Sequence, residues 1–159
     1  SFGLPLSEAF VRPEDGKIVQ YFEAAVLEYD SSPERDPGFD LLSRAAQTMR
    51  VIRVHPIGSE FTAGWQIPPQ PPVTPGPRAV LVPETGYAIR DGFLDFYFNM
   101  LGEWRFGKPI SPRMTETIGG VPITMQYFER GRIDWHPHAQ AMYPGQIGRE
   151  VWERRCRFE

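Results

Sequence analysis

Gln126, Tyr127, Arg132, Trp135 and His136 fall within one short stretch and combine two aromatic rings with an amide, a guanidinium and an imidazole. Side chains of these types bind sugars, because an aromatic face takes the apolar side of a pyranose while flanking polar groups bond its hydroxyls. Packing of Tyr127-Phe128 between a sheet and a helix is the competing reading. Paired carboxylates would instead suit glycoside hydrolysis, and Glu23, Glu129 and Asp134 are the candidates. Glu23 and Glu129, however, each close the same word, Gln-Tyr-Phe-Glu, so a fold role is the simpler explanation: satisfying backbone donors in a tight turn, or pairing with Arg132. No catalytic residue is assigned, and enzyme activity is not expected. His136 and His138 flank Pro137, which favours a turn; with His55 the only other histidine and no cysteine nearby, neither a metal site nor a cofactor is expected. The chain contains no nucleophile elbow, Cys-His arrangement or phosphate-cradling loop, and Gly119-Gly120 is a turn signal.

The elements that must position these residues are written twice. Phe106-Gly107-Lys108-Pro109-Ile110-Ser111 leads to Gln126-Tyr127-Phe128-Glu129, and Phe2-Gly3-Leu4-Pro5-Leu6-Ser7 leads to Gln20-Tyr21-Phe22-Glu23. The copies stand 104 residues apart at Phe-Gly-x-Pro and 106 apart at Gln-Tyr-Phe-Glu, a slip that a turn absorbs. Asp15-Gly16 predicts a hairpin turn, with strands over 17–22 and 26–29, and apolar groups on both faces of the first predict that it is covered on both sides. Residues 31–38 read as loop, and Leu42, Ala45, Ala46 and Met49 have helical spacing over 39–50. Val51 to His55 reads as a strand stopped by Pro56-Ile57-Gly58. Seven prolines between Gln66 and Pro83 predict a semi-rigid spacer.

Beyond the spacer, a strand is expected over 78–82 and a turn over 83–86. Ile89, Phe93, Phe96, Tyr97, Met100 and Leu101 then predict an amphipathic helix ended by Gly102. Residues 144–153 read as a short final helix, with Ile147-Gly148-Arg149 aligned to Leu42-Ser43-Arg44. The first copy has no counterpart of the 89–101 helix, which implies a cut within a repeat or a neighbouring polypeptide that supplies it. The expected fold is α+β: a first, incomplete unit over 1–65, a Pro-rich linker over 66–83 and a second unit over 84–159. Each unit is a small antiparallel β-sheet packed with short helices.

Composition narrows the partners. A formal charge of −3 gives no footprint for nucleic acid, and no apolar run is long enough to span a bilayer. Position 1 is not Met, so the chain reads as mature or trimmed. Its one cysteine, Cys156, precludes an intrachain disulfide. Lys occurs only at 17 and 108 and Asn only at 99, a bias that suits a thermophile.

Together Phe-Gly-x-Pro-x-Ser, Gln-Tyr-Phe-Glu, the Arg-Ile-x-Trp step and Gly-x-Ile-Gly resemble the LGFP-type repeat of bacterial cell-surface proteins. From Pro83-Glu84-Thr85-Gly86 to His136-Pro137 the pattern is most similar to the version in secreted proteins of Chloroflexi-type bacteria. The resemblance covers 83–153 well and 2–48 in reduced form. It implies an extracellular, non-catalytic module that attaches proteins to the cell envelope or its glycans, with Gln126, Tyr127, Arg132, Trp135 and His136 as the ligand-binding set. The first copy departs from it, with Tyr29-Asp30 in place of Trp135-His136. The second reading is a structural subunit that assembles head to tail with copies of itself into a filament or sheath; a glycan-hydrolase fragment is a remote third. Exposed aromatic residues around Trp135 would favour glycan binding, and their burial would favour assembly.

Overall fold

A computed structural model describes residues 1–29 and 52–157. In chain order these form β1 (Phe10–Val11), β2 (Ile18–Phe22), β3 (Ala25–Tyr29), β4 (Ile52–Val54), α1 (Ile57–Phe61), β5 (Ala79–Val82) and β6 (Tyr87–Arg90). There follow α2 (Gly92–Asn99), α3 (Gly102–Arg105), β7 (Met114–Ile118), β8 (Val121–Phe128), β9 (Gly131–His136), β10 (Ala141–Pro144) and α4 (Ile147–Arg157). Among the described residues the fold is mixed α+β, with three small antiparallel sheets and four short helices. The loop expected over 31–38 and the helix expected over 39–50, with Leu42-Ser43-Arg44, lie outside the described residues.

The sheets β1-β2-β3-β4 and β7-β8-β9-β10 share one register. Phe10 faces Val19 as Met114 faces Met125, Phe22 faces Ala25 as Phe128 faces Gly131, and Leu27 faces Val54 as Ile133 faces Pro144. The duplicated words explain why. The Tyr21 amide donates to Ser7 Oγ at 3.1 Å and the Tyr127 amide to Ser111 Oγ at 2.9 Å. Gln20 and Gln126 each donate to the carbonyl of that serine. Glu23 Oε2 accepts the Leu4 amide at 3.0 Å, and Glu129 Oε2 accepts the Lys108 amide at 3.2 Å. Gly3 and Gly107 make room for these carboxylates at φ 82° and 71°; a Cβ on either would meet the glutamate at 2.7 or 2.6 Å. Phe-Gly-x-Pro is thus the seat of a carboxylate that caps its own hairpin end.

The short helices are exchanged between the halves. In α1, Gly58 sits on the Phe128 carbonyl and the Ser59 amide donates to Glu129 O at 3.1 Å. In α4, Gly148 sits on the Phe22 carbonyl and the Arg149 amide donates to Glu23 O at 3.0 Å. Each helix begins with a fully buried isoleucine, Ile57 or Ile147, in one apolar core with Val19, Tyr21, Val26, Met125 and Tyr127. Packing of α1 and α4 thus crosses the expected division at 66–83. Ile57-Gly58-Ser59 occupies the place equivalent to Ile147-Gly148-Arg149.

Three expectations are corrected. The helix expected over 89–101 is a strand to Arg90, then α2, then α3, because Asp91 and Leu101 take φ 55° and turn the chain twice. Gly102 opens α3 rather than ending a helix; a Cβ there would strike the Tyr97 ring at 2.4 Å. On β2 one face is buried through Val19 and Tyr21, while Ile18 on the other is exposed. Nor does the first copy lie bare. Its Phe2 ring packs under the Arg105 guanidinium at 4.4 Å and 6.1 Å from the Trp104 ring, so α3 serves both copies. The prolines run through residues 65–75 without regular structure, tied down where Gln70 Oε1 accepts the Ala88 amide at 2.9 Å.

Candidate functional site

The five residues singled out by type and spacing part company in space. Gln126 is fully buried, its amide donating at 2.9 Å to both Ala88 O and Ser111 O, where it bolts the β5-β6 hairpin to β8. Tyr127 is 1% exposed and packs against Phe61 and, edge to face at 5.3 Å, against Trp65; burial pushes its phenol pKa up. Trp135 is half-buried against the cluster of Ile89, Phe93 and Phe128. Tyr127 and Trp135 thus lie on opposite faces of the hairpin, the first in one apolar core and the second packed against another. Phe61, Trp65, Ile89 and Phe93 of the same chain supply that cover.

Arg132 and His136 remain together. Both line a cleft of about 570 Å³ between the Gly3-Glu23 end of the first half and Asp134, Tyr143 and Glu150 of the second. Arg132 is 4% exposed and holds Asp134 in a two-pronged pair, Nε to Oδ1 at 2.7 Å and Nη2 to Oδ2 at 3.0 Å, while Nη1 reaches Glu150 Oε1 at 3.2 Å. Burial alone would lower the Arg132 pKa; the hydrogen bonds and charge of Asp134 outweigh it and raise it. The His136 ring meets Tyr143 edge to face at 5.1 Å, and Tyr143 is 46% exposed. Within this cleft the pair presents an aromatic surface that solvent can reach.

A second cleft, of about 990 Å³, occupies the other junction between the halves, lined in part by Glu28, Val54, Gly107 and Glu129. By register and turn these match Asp134, Pro144, Gly3 and Glu23 of the first cleft. The exchange of α1 and α4 thus builds one kind of cleft twice. No family model, curated protein or solved structure matches the chain.

Two of the carboxylates that line the clefts, Glu23 and Glu28, are held ionised by their partners. The Leu4 amide and the Arg149 guanidinium hold Glu23 below its ordinary pKa. Burial would raise Glu28, but hydrogen bonds from Lys17 and His55 win and lower it, and His55 likewise lowers Glu60. A glycosidase acid needs the opposite, a carboxyl held protonated near neutrality. Among the described residues no His, Cys, Asp and Glu group converges in a metal-holding cluster, and no helix is long and apolar enough to cross a membrane. The missed signal was Ile57-Gly58-x-Glu60 against Ile147-Gly148-x-Glu150, whose offset of 90 hides it from a search at 104–106.

Proposed function

We propose that the chain is a secreted, non-catalytic module of two related units of the LGFP-repeat type, which attaches to cell-envelope polysaccharide through the clefts at its unit junctions. The observation that carries this reading is the cleft in which His136 and the exposed ring of Tyr143 stand beside fixed hydrogen-bonding groups of Arg132, Asp134 and Glu150. Rigid polar groups beside an aromatic ring match a sugar's hydroxyls and its apolar face at little entropic cost. Compensated carboxylates support binding over hydrolysis.

Head-to-tail assembly is the weaker reading on physical grounds. A filament needs a heterologous contact with one half left unsatisfied, whereas α1 on the second half and α4 on the first are one contact made reciprocally, and such contacts close. The test is co-sedimentation with insoluble bacterial envelope polysaccharide, with soluble reducing ends assayed in the same tubes. The wild-type chain pellets, Tyr143→Ala weakens retention about tenfold through the lost stacking contact, and no reducing ends appear. A wild-type chain that stays in the supernatant, or that releases sugars, contradicts the proposal.

A further inference from the structure

The two clefts have diverged in charge: three changes add a cation at one junction, while at the other Arg132 stands in place of Val26 and Arg149 in place of Ser59. Ala24 and Tyr143 border the Tyr143 cleft and Leu4 follows its Gly3, and the equivalent positions at the other junction are Arg130, Arg53 and Lys108. All three changes put a cation where its counterpart is neutral. Trp104 also lines this second cleft. Its carboxylates are largely engaged within the fold: Glu28 receives Lys17 Nζ at 3.1 Å, Arg12 Nη2 at 3.2 Å and the His55 ring, and Glu129 takes the Lys108 amide. Glu103 is the acid left at the mouth, where Arg130 Nη1 donates to its backbone carbonyl at 2.8 Å. That bond anchors the Arg130 guanidinium, and Lys108, which lines the same cleft, is exposed.

We infer that the Trp104-Lys108-Arg130 cleft is a second saccharide site, specific for sugars that bear carboxylates, with the indole against the ring and the two cations on the acid. The inference rests on the polysaccharide-binding reading above and adds the ligand class. A guanidinium and an ammonium flanking an aromatic ring distinguish an acidic sugar from its neutral isostere, since charge-assisted bonds are lost with the carboxylate. Arg132, the guanidinium that lines the Tyr143 cleft, is already taken up by Asp134 and Glu150.

The test titrates the whole chain calorimetrically with oligogalacturonate, with the same oligosaccharide reduced to its neutral alcohol, and with inorganic phosphate. Oligogalacturonate binds, the reduced sugar binds at least tenfold more weakly, and phosphate does not compete. Lys108→Ala and Arg130→Ala each cost about tenfold, the scale of one charge-assisted bond, and Tyr143→Ala costs nothing. Lys108 is exposed, so its variant reports binding rather than folding. Equal binding of the neutral sugar, competition by phosphate, or loss confined to Tyr143→Ala overturns the inference. Failure to bind oligogalacturonate while envelope polysaccharide still retains the chain overturns this inference alone; failure of both overturns the function proposed above as well.

Discussion

Gly148 rests directly on the backbone carbonyl of Phe22: a Cβ at position 148 would lie 2.0 Å from that oxygen. Gly58 stands in the same relation to Phe128, at 1.8 Å, so each half of the chain receives a helix from the other through a glycine. On helix propensity alone Gly→Ala would stabilise by about 1 kcal/mol. Here a backbone oxygen must move instead, and Gly148→Ala and Gly58→Ala are each expected to destabilise by about 3 kcal/mol, measured by urea unfolding. Gly16→Ala, where nothing lies within 4 Å but φ is 73°, costs only about 1 kcal/mol.

Ser111 and Ser7 give a graded pair. Both hydroxyls accept a tyrosine amide, but Ser111 is fully buried and Ser7 half-buried. Ser111→Ala strands a buried N–H and costs about 1–3 kcal/mol. Ser7→Ala costs less, because water can reach its partner. Thermal melts of the two variants side by side read the difference.

Asp134→Ala removes the two-pronged partner of a guanidinium buried to 4% exposure. Glu150 still holds Nη1, so the cost falls below the roughly 3–5 kcal/mol of a wholly unpaired buried charge, at about 2–3 kcal/mol. Replacing both residues, Arg132→Met with Asp134→Leu, recovers most of that loss in chemical denaturation.

Acid should loosen the junctions. The Leu4 amide and Arg149 lower the Glu23 pKa from its ordinary 4.5, and His55 lowers that of Glu60. A carboxylate with a depressed folded pKa contributes stability that is full above 4.5 and is lost as pH falls through the folded value. Melting temperature is therefore expected to be flat just above pH 5 and to fall below pH 4.5, with Glu23→Gln less stable at pH 7 and flatter in acid. An unchanged slope in Glu23→Gln would remove the Arg149 pair from the account.

Local pattern carried the hairpins and not their covers. Turn chemistry is decided within a few residues of chain, so the turn at Gly119-Gly120 and the strands after Asp15-Gly16 were legible, while the register was not. Which strand face is buried depends on helices that arrive from the other half. Tyr127 looks like a binding residue until Phe61, distant in sequence, is laid against it. Leu101 at φ 55° broke a helix whose apolar period ran straight through it, because that period reports burial and cannot report a left-handed turn. His136 kept its place at a cleft, but Tyr143, its neighbour across β9 and β10, had no motif to mark it.

Both clefts exist only if the two halves close on each other within one chain. Light scattering coupled to size exclusion, over a wide concentration series, tests that closure most directly. Reciprocal docking predicts a constant mass of 18.2 kDa throughout. A mass that climbs with concentration into open-ended species would contradict it, and would return α1 and α4 to the role of links between chains.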